Sequence, residues 1–173
     1  MLLKSIAALP AEIAKACEFY LLGRVLDHGF FAELQRVAQA WDQIHFLGEQ
    51  SHKEALSYIH AADVVVCPSR DETGPIFVLE AMAYGKAIVS TAVGVVPEII
   101  QHEINGLIVP VEDPDAMARE LARLWKDRAL RKRLGENARI EFQQNLTMDR
   151  FGGDVENLIA RLTRPAGRAL AVL

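Results

Sequence analysis

The chain has 173 residues, with 19 Lys and Arg against 23 Asp and Glu, a formal net charge of −4, and 51% hydrophobic residues. This is the balance of a folded domain of ordinary size, and an acidic chain with no basic block interleaved with aromatics excludes nucleic acid as a partner. No apolar run approaches the roughly 18 residues needed to cross a bilayer, and two cysteines, Cys17 and Cys67, are too few for a disulfide framework or a structural zinc site, which favours a reducing, cytoplasmic compartment.

Met1–Leu9 reads as a helix stopped by Pro10; Lys4 and Glu12 interrupt its apolar run too early for a secretory leader. Glu18–Val25 reads as a strand. Leu34, Val37, Ala38 and Trp41 then fall on one helical face. Gln43–Gly48 is the next strand, and Ser51 with Glu54 has the spacing of a capping box for a helix through Leu56 and Ile59. Asp63–Cys67, Ala87–Thr91 and Gly106–Pro110 are short, apolar and largely β-branched, the pattern of strands covered on both faces in a parallel sheet. Asp113-Pro114-Asp115 supplies an N-cap, a proline at the first helical position and a first-turn acid, opening a helix with Met117, Leu121, Leu124 and Trp125 as its buried stripe. The last helix carries Val155, Leu158, Ile159 and Leu162 on one face, and the tail Arg161–Leu173 is loosely patterned and expected to fray.

Strand–helix alternation at this spacing predicts an α/β fold, a Rossmann-like, doubly wound parallel sheet forming a single domain over residues 1–173. Ligands in such sheets sit beyond the carboxyl ends of the strands, which directs attention to loops 24–29, 48–51, 68–75 and 92–97.

The most informative stretch runs from Pro68 to Gly85. A buried strand ends at Cys67, and a polar loop follows and closes on Gly74 and Pro75. A helix begins near Ile76. Unpaired backbone N–H groups and the dipole at such a terminus form an anion site suited to a phosphate. Glu80 is the anomaly of this helix, because Ile76, Phe77, Val78, Leu79, Ala81, Met82 and Ala83 are all apolar. A carboxylate in such surroundings needs a partner. Pairing with a neighbouring Lys or Arg is one solution. A vicinal diol is another, since one carboxylate can accept two hydroxyl protons.

Glu72 and Glu80 are spaced as E-x7-E. With Pro68-Ser69, the run Glu80–Thr91, Val93-Gly94-Val95-Val96-Pro97-Glu98, Asn105–Pro110 and Asp113-Pro114, the chain resembles the group 1 (family 4) retaining glycosyltransferases. The match runs in order along nearly the whole chain and corresponds to the C-terminal, donor-binding domain of their GT-B fold. The resemblance implies transfer of a sugar from a nucleotide diphosphate sugar to an acceptor hydroxyl with retention of configuration, without metal or other cofactor.

By position, the resemblance gives Glu80 the ribose hydroxyls and sets Glu72 beside the donor sugar as the catalytic glutamate. Gly74, Pro75 and Ile76 would meet sugar and diphosphate, Ser69 would line the same loop, and Gly48 and Glu49 would lie near the nucleobase. The family commonly has Phe-Gly where this chain has Gly74-Pro75, and Pro75 has no N–H to donate. The family's diphosphate-clamping Arg and Lys come from a first strand and following loop that precede the part matched here, as does the N-terminal acceptor domain. The expectation is therefore a donor domain lacking its first strand, weakly binding and catalytically silent alone. Its unpaired strands would be open to self-association. The alternative, from a different class, is a non-catalytic remnant or interaction module retaining the fold.

The five histidines lack metal-ligand spacing, and no metal site is expected. The basic stretch from Arg119 to Arg139 reads as a solvated helix pair, with peripheral contact to an anionic membrane as the other reading.

Overall fold

A computed structural model describes residues 1–163; the predicted frayed tail lies outside the described residues from 164 onward. In chain order the elements are α1 (Leu2–Ala8), α2 (Ala11–Ala16), β1 (Phe19–Leu22), α3 (His28–Ala38), β2 (Ile44–Gly48), α4 (His52–Ala61) and β3 (Val64–Cys67). There follow α5 (Ile76–Ala83), β4 (Ala87–Thr91), α6 (Val96–Ile99), β5 (Leu107–Val109), α7 (Pro114–Lys126), α8 (Arg128–Asn145) and α9 (Met148–Leu162). Each expected strand forms, Ala87–Thr91 with the bounds expected and the others shortened at one or both ends. Pro10 does stop α1, but the chain turns directly into the short α2, which the sequence pattern did not reveal.

Every strand pairing is parallel. β1 pairs with β2, and β3, β4 and β5 form a second sheet in that order. The Rossmann-like α/β architecture is as expected, with its strands divided between two hydrogen-bonded ladders. β4 is the central strand of the larger sheet and is buried at all five positions. Its Ile88 faces Val78, Ala81 and Met82 of α5 and Val96 and Ile99 of α6. Its Ala87 and Val89 face Met117 and Leu124 of α7 and Leu134 of α8. Alternation along one strand thus divides the core between two helical layers.

Two helices connect the ladders. Leu2 of α1 packs both against the cluster holding Val64 and Val66 of β3 and against that holding Phe19, Ile44 and Phe46 of the small sheet. Tyr58 of α4 lies 5.6 Å from Tyr20 of β1, ring centre to ring centre, while Ile59 packs on the cluster of Val65 and Cys67.

Close approach fixes the position of α8. A Cβ on Gly135 would lie 2.1 Å from the carbonyl oxygen of Gly85, so only glycine lets the helix rest on the turn after α5. Asp127 caps the start of α8 by accepting from Leu130 N at 2.8 Å.

Two expectations are corrected. Trp125 is 43% exposed rather than part of the buried stripe of α7, and Trp41 lies in the turn after α3 rather than within it. Ala118, on the same face as Trp125, is covered by Leu9, Ile13 and Ala14, but Trp125 sits about two turns beyond that cover. The apolar face of α9 is not buried: Phe151, Val155, Leu158, Ile159 and Leu162 are all exposed.

The basic helix pair is laced with ion pairs. Arg123 grips Glu103, with its second nitrogen 2.8 Å from Oε2, and holds that carboxyl below the usual carboxylate range. Arg131 donates to the Leu124 carbonyl at 2.6 Å, and Lys132 lies 3.6 Å from Glu136.

Candidate functional site

The candidate residues gather where β2 and β3 end and α4 and α5 begin. β3 delivers the chain to Pro68 and Ser69 after the buried Cys67. Buried Thr91, at the end of β4, pins that exit: its hydroxyl lies 2.7 Å from the Ser69 carbonyl and 3.2 Å from that of Cys67. The Ser69 hydroxyl donates to Glu72 Oε1 at 3.0 Å. A path of hydrogen bonds therefore runs from the central strand to the first glutamate.

The loop then rests on the turn after β4. Val95 N donates to the Thr73 carbonyl at 3.2 Å. Gly94, at φ +50°, lies so close beneath the loop that a Cβ there would be 2.4 Å from the Glu72 carbonyl oxygen and 2.5 Å from that of Thr73. Gly94 was visible in the sequence only as part of a matching run. Its contact with the glutamate loop is a supporting role that spacing alone does not disclose.

Pro75 is the N-cap of α5 and is buried. Val78 N bonds back to the Pro75 carbonyl at 2.9 Å, and the N–H groups of Ile76 and Phe77 have no acceptor among the described residues. Gly74 is open, its nearest neighbour to a would-be Cβ being Val95 at 3.8 Å. Ile76 is 69% exposed, although so apolar a helix implied burial along its length. Two free donors at the positive end of a helix and an exposed apolar side chain together form a surface able to meet an anion and an adjacent ring.

One turn further, Glu80 has a side chain only 19% exposed, and its Oε1 is 2.6 Å from Nε2 of His52. The partner is thus neither of the cations that the sequence offered, but a histidine from another element. Its Oε2 makes no hydrogen bond among the described residues. His52 is the first residue of α4, whose start is fixed by a complete capping box. Glu54 N lies 3.3 Å from Ser51 Oγ, and Glu54 Oε2 accepts from Ser51 N at 3.1 Å and from its hydroxyl at 2.6 Å. These bonds hold the Glu54 carboxyl below its ordinary pKa.

The loop before this cap carries Gly48, at φ +69°, and the exposed Glu49. Gly48 accepts from Gly23 N at 2.9 Å, so the ends of β1 and β2 stay joined. The His52–Glu80 contact thereby brings the 48–51 loop beside α5. Ser69 and Glu72 form one hydrogen-bonded group and His52 and Glu80 another, with no hydrogen bond between the groups among the described residues. A cavity of about 600 Å³ between the α1–α2 turn and α7, lined by Ala8, Pro10, Ala118 and Ala122, contains none of the candidate residues. Among the described residues no group of three or more His, Cys, Asp and Glu could hold a metal ion.

The parallel strands and the helices packed on them form a Rossmann-like α/β fold of the kind found in GT-B glycosyltransferases, with the candidate loops beyond the strand ends. The chain belongs to the glycosyl transferases group 1 family, which it matches over residues 1–141. Among curated relatives, it is 34% identical over 123 residues to the D-inositol 3-phosphate glycosyltransferase of Salinispora tropica, covering 71% of this chain and 25% of that one. The chain spans about a third or less of the length of the curated relatives it matches.

Among solved structures, the Anabaena protein Alr3699/HepE, crystallised with UDP, superposes with a TM-score of 0.82 at 19% identity, covering 92% of this chain and 44% of that one. The C-terminal domain of the group 1 glycosyl transferase LpcC of Francisella tularensis gives a TM-score of 0.74 at 28% identity, covering 84% of this chain and 79% of that domain. Among the described residues, no helix is long and apolar enough to cross a membrane.

Proposed function

We propose that this chain is the donor-binding, C-terminal domain of a retaining family 4 glycosyltransferase, holding a nucleotide diphosphate sugar whose glycosyl group passes to an acceptor hydroxyl. The observation that carries this reading is Glu80: a mostly covered carboxylate on an apolar helix, with one oxygen held by His52 and the other without a partner among the described residues. A ribose diol satisfies that oxygen pair, and each charge-assisted bond contributes roughly 1.5–3 kcal/mol.

The remaining groups then take their places along the donor. The N–H groups of Ile76 and Phe77 face the diphosphate, where they stabilise charge as the sugar departs. Glu72, oriented by Ser69, lies beside the sugar, and Gly74 and Pro75 shape the floor of its subsite. The 48–51 loop, with Gly48 and Glu49, borders the base. No step calls for a metal. The match to the LpcC C-terminal domain supports placing the chain in that half of the enzyme, and the UDP in the Anabaena structure supports the ligand class.

The test is calorimetric titration of the chain with UDP and GDP, beside Glu80→Ala. Loss of the ribose contact weakens the bound nucleotide by about 1.5–3 kcal/mol, roughly ten- to a hundredfold. Equal affinity of the two proteins would remove Glu80 from the site, and no binding of either nucleotide by the wild type would remove the site itself.

A further inference from the structure

We propose that His52 is a positioning residue for Glu80, so that the preference of this chain for ribo- over 2′-deoxyribonucleotides depends on a side chain contributed by α4 as well as on the carboxylate of α5. The inference rests on the reading of Glu80 as the ribose-binding group and adds to it how that group is held.

An ionised carboxylate only accepts hydrogen bonds, so the 2.6 Å contact requires a hydrogen on Nε2 of His52. Both the Nε2–H tautomer and the imidazolium meet that requirement. The bond engages Oε1 and leaves Oε2 without a partner among the described residues. A glutamate side chain has three rotatable bonds, and without a second anchor it must be ordered by the ligand itself. With the anchor, that ordering precedes binding.

The anchor is itself fixed. His52 is the first residue of α4, and the reciprocal bonds of Ser51 and Glu54 set where that helix starts. One residue of slippage would carry the imidazole about 100° round the helix, away from α5. The His52 side chain is 73% exposed, so it fills no core space and its replacement leaves the packing of α4 intact. Its contact with Glu80 is the one described bond it makes to another element, so what it contributes there is the orientation of that carboxylate.

The experiment measures the affinity of the chain for UDP and GDP, each against its 2′-deoxy counterpart, for wild type, His52→Ala and His52→Gln, and for His52→Ala in a Glu80→Ala background. His52→Ala is expected to weaken the ribonucleotide about three- to tenfold, the effect of one side chain that must be immobilised on binding, and to weaken the 2′-deoxy compound, which keeps only one hydroxyl for Glu80, by clearly less. His52→Gln, whose amide N–H can donate to the same oxygen, should recover most of the discrimination. In the Glu80→Ala background the histidine substitution should have no effect. A wild-type level of discrimination in His52→Ala, equal losses on both sugars, or a loss that persists without Glu80 overturns the inference. A wild-type protein that binds ribo- and 2′-deoxyribonucleotides equally, or binds neither, overturns the ribose reading of Glu80 and this inference with it. Discrimination by the wild type that survives in His52→Ala overturns this inference alone.

Discussion

Gly94→Ala is the sharpest test of how the glutamate loop is held. Two penalties act at that position. Alanine at φ +50° occupies the left-handed region at a cost of about 1–2 kcal/mol. Its methyl group would also stand 2.4 Å and 2.5 Å from two carbonyl oxygens, those of Glu72 and Thr73. An ordinary carbon–oxygen contact needs more than 3 Å, so the loop must lift by over half an ångström or strain must remain. Forced overpacking of this kind costs about 1–3 kcal/mol. Against these stands a gain of about 0.4–1 kcal/mol from a less flexible unfolded chain. The net expectation is a destabilisation of about 1–5 kcal/mol.

Gly48→Ala separates the two penalties, because Gly48 also has positive φ, +69°, but nothing lies within 4 Å of a Cβ there. It should lose no more than about 1.5 kcal/mol. Urea unfolding of both variants and the wild type, followed by circular dichroism, gives the comparison. A Gly94→Ala midpoint no lower than that of Gly48→Ala, together with an unchanged UDP affinity, would refute the claim that the loop rests on residue 94. If the loop lifts instead of straining, the cost appears in binding, and UDP affinity should fall in Gly94→Ala even where stability is nearly kept.

Two further perturbations probe the same framework. Thr91→Val keeps the shape but removes the hydroxyl that reaches the carbonyls of Cys67 and Ser69. It should lower stability by about 1–3 kcal/mol in urea unfolding, and an unchanged midpoint would show that those carbonyls do not depend on it. The capping box gives a pH test. The pKa of Glu54 is lowered in the folded chain, so its contribution is present above the ordinary carboxylate range and is lost as pH falls through the lowered value. The stability difference between wild type and Glu54→Ala should therefore be largest near neutral pH and shrink under acid. A difference that stays constant from pH 7 to pH 3 would show that the carboxylate charge plays no part.

The strands and the capping box were legible because their signals are local. Val64–Cys67 and Ala87–Val89 are apolar without a break, the pattern of strands covered on both faces. Ser51 and Glu54 satisfy each other across three residues, so no distant partner is needed. Glu80 was legible for the opposite reason: it violates its surroundings, and a violation calls for a partner. What the sequence could not supply was that partner. His52 lies 28 residues away, and only the packing of α4 beside α5 places it there. The contact of Gly94 with Glu72 and Thr73 is equally a product of tertiary approach, since a glycine in a loop reads the same whether its missing Cβ would meet a carbonyl or open space.

The helices show where periodicity stops being evidence. A stripe of apolar residues states that a helix has two unlike faces; it does not state what covers the apolar one. On α7 the stripe is answered by β4 at Met117 and Leu124, but Trp125, at the end of the helix, stays 43% exposed. On α9 no part of the stripe is answered within residues 1–163: the positions are spaced as well as those of α7, and every one is open. The same spacing thus produced burial in one helix and exposure in the other, and the difference lies in what the rest of the fold brings against them. Site geometry follows this rule too. Glu72 and Glu80 are set by their spacing on the chain, but what each carboxylate can do is set by Ser69 and His52, one from its own loop and one from another helix. A carboxylate paired across helices is ordered before a ligand arrives, and that ordering belongs to the fold rather than to the motif.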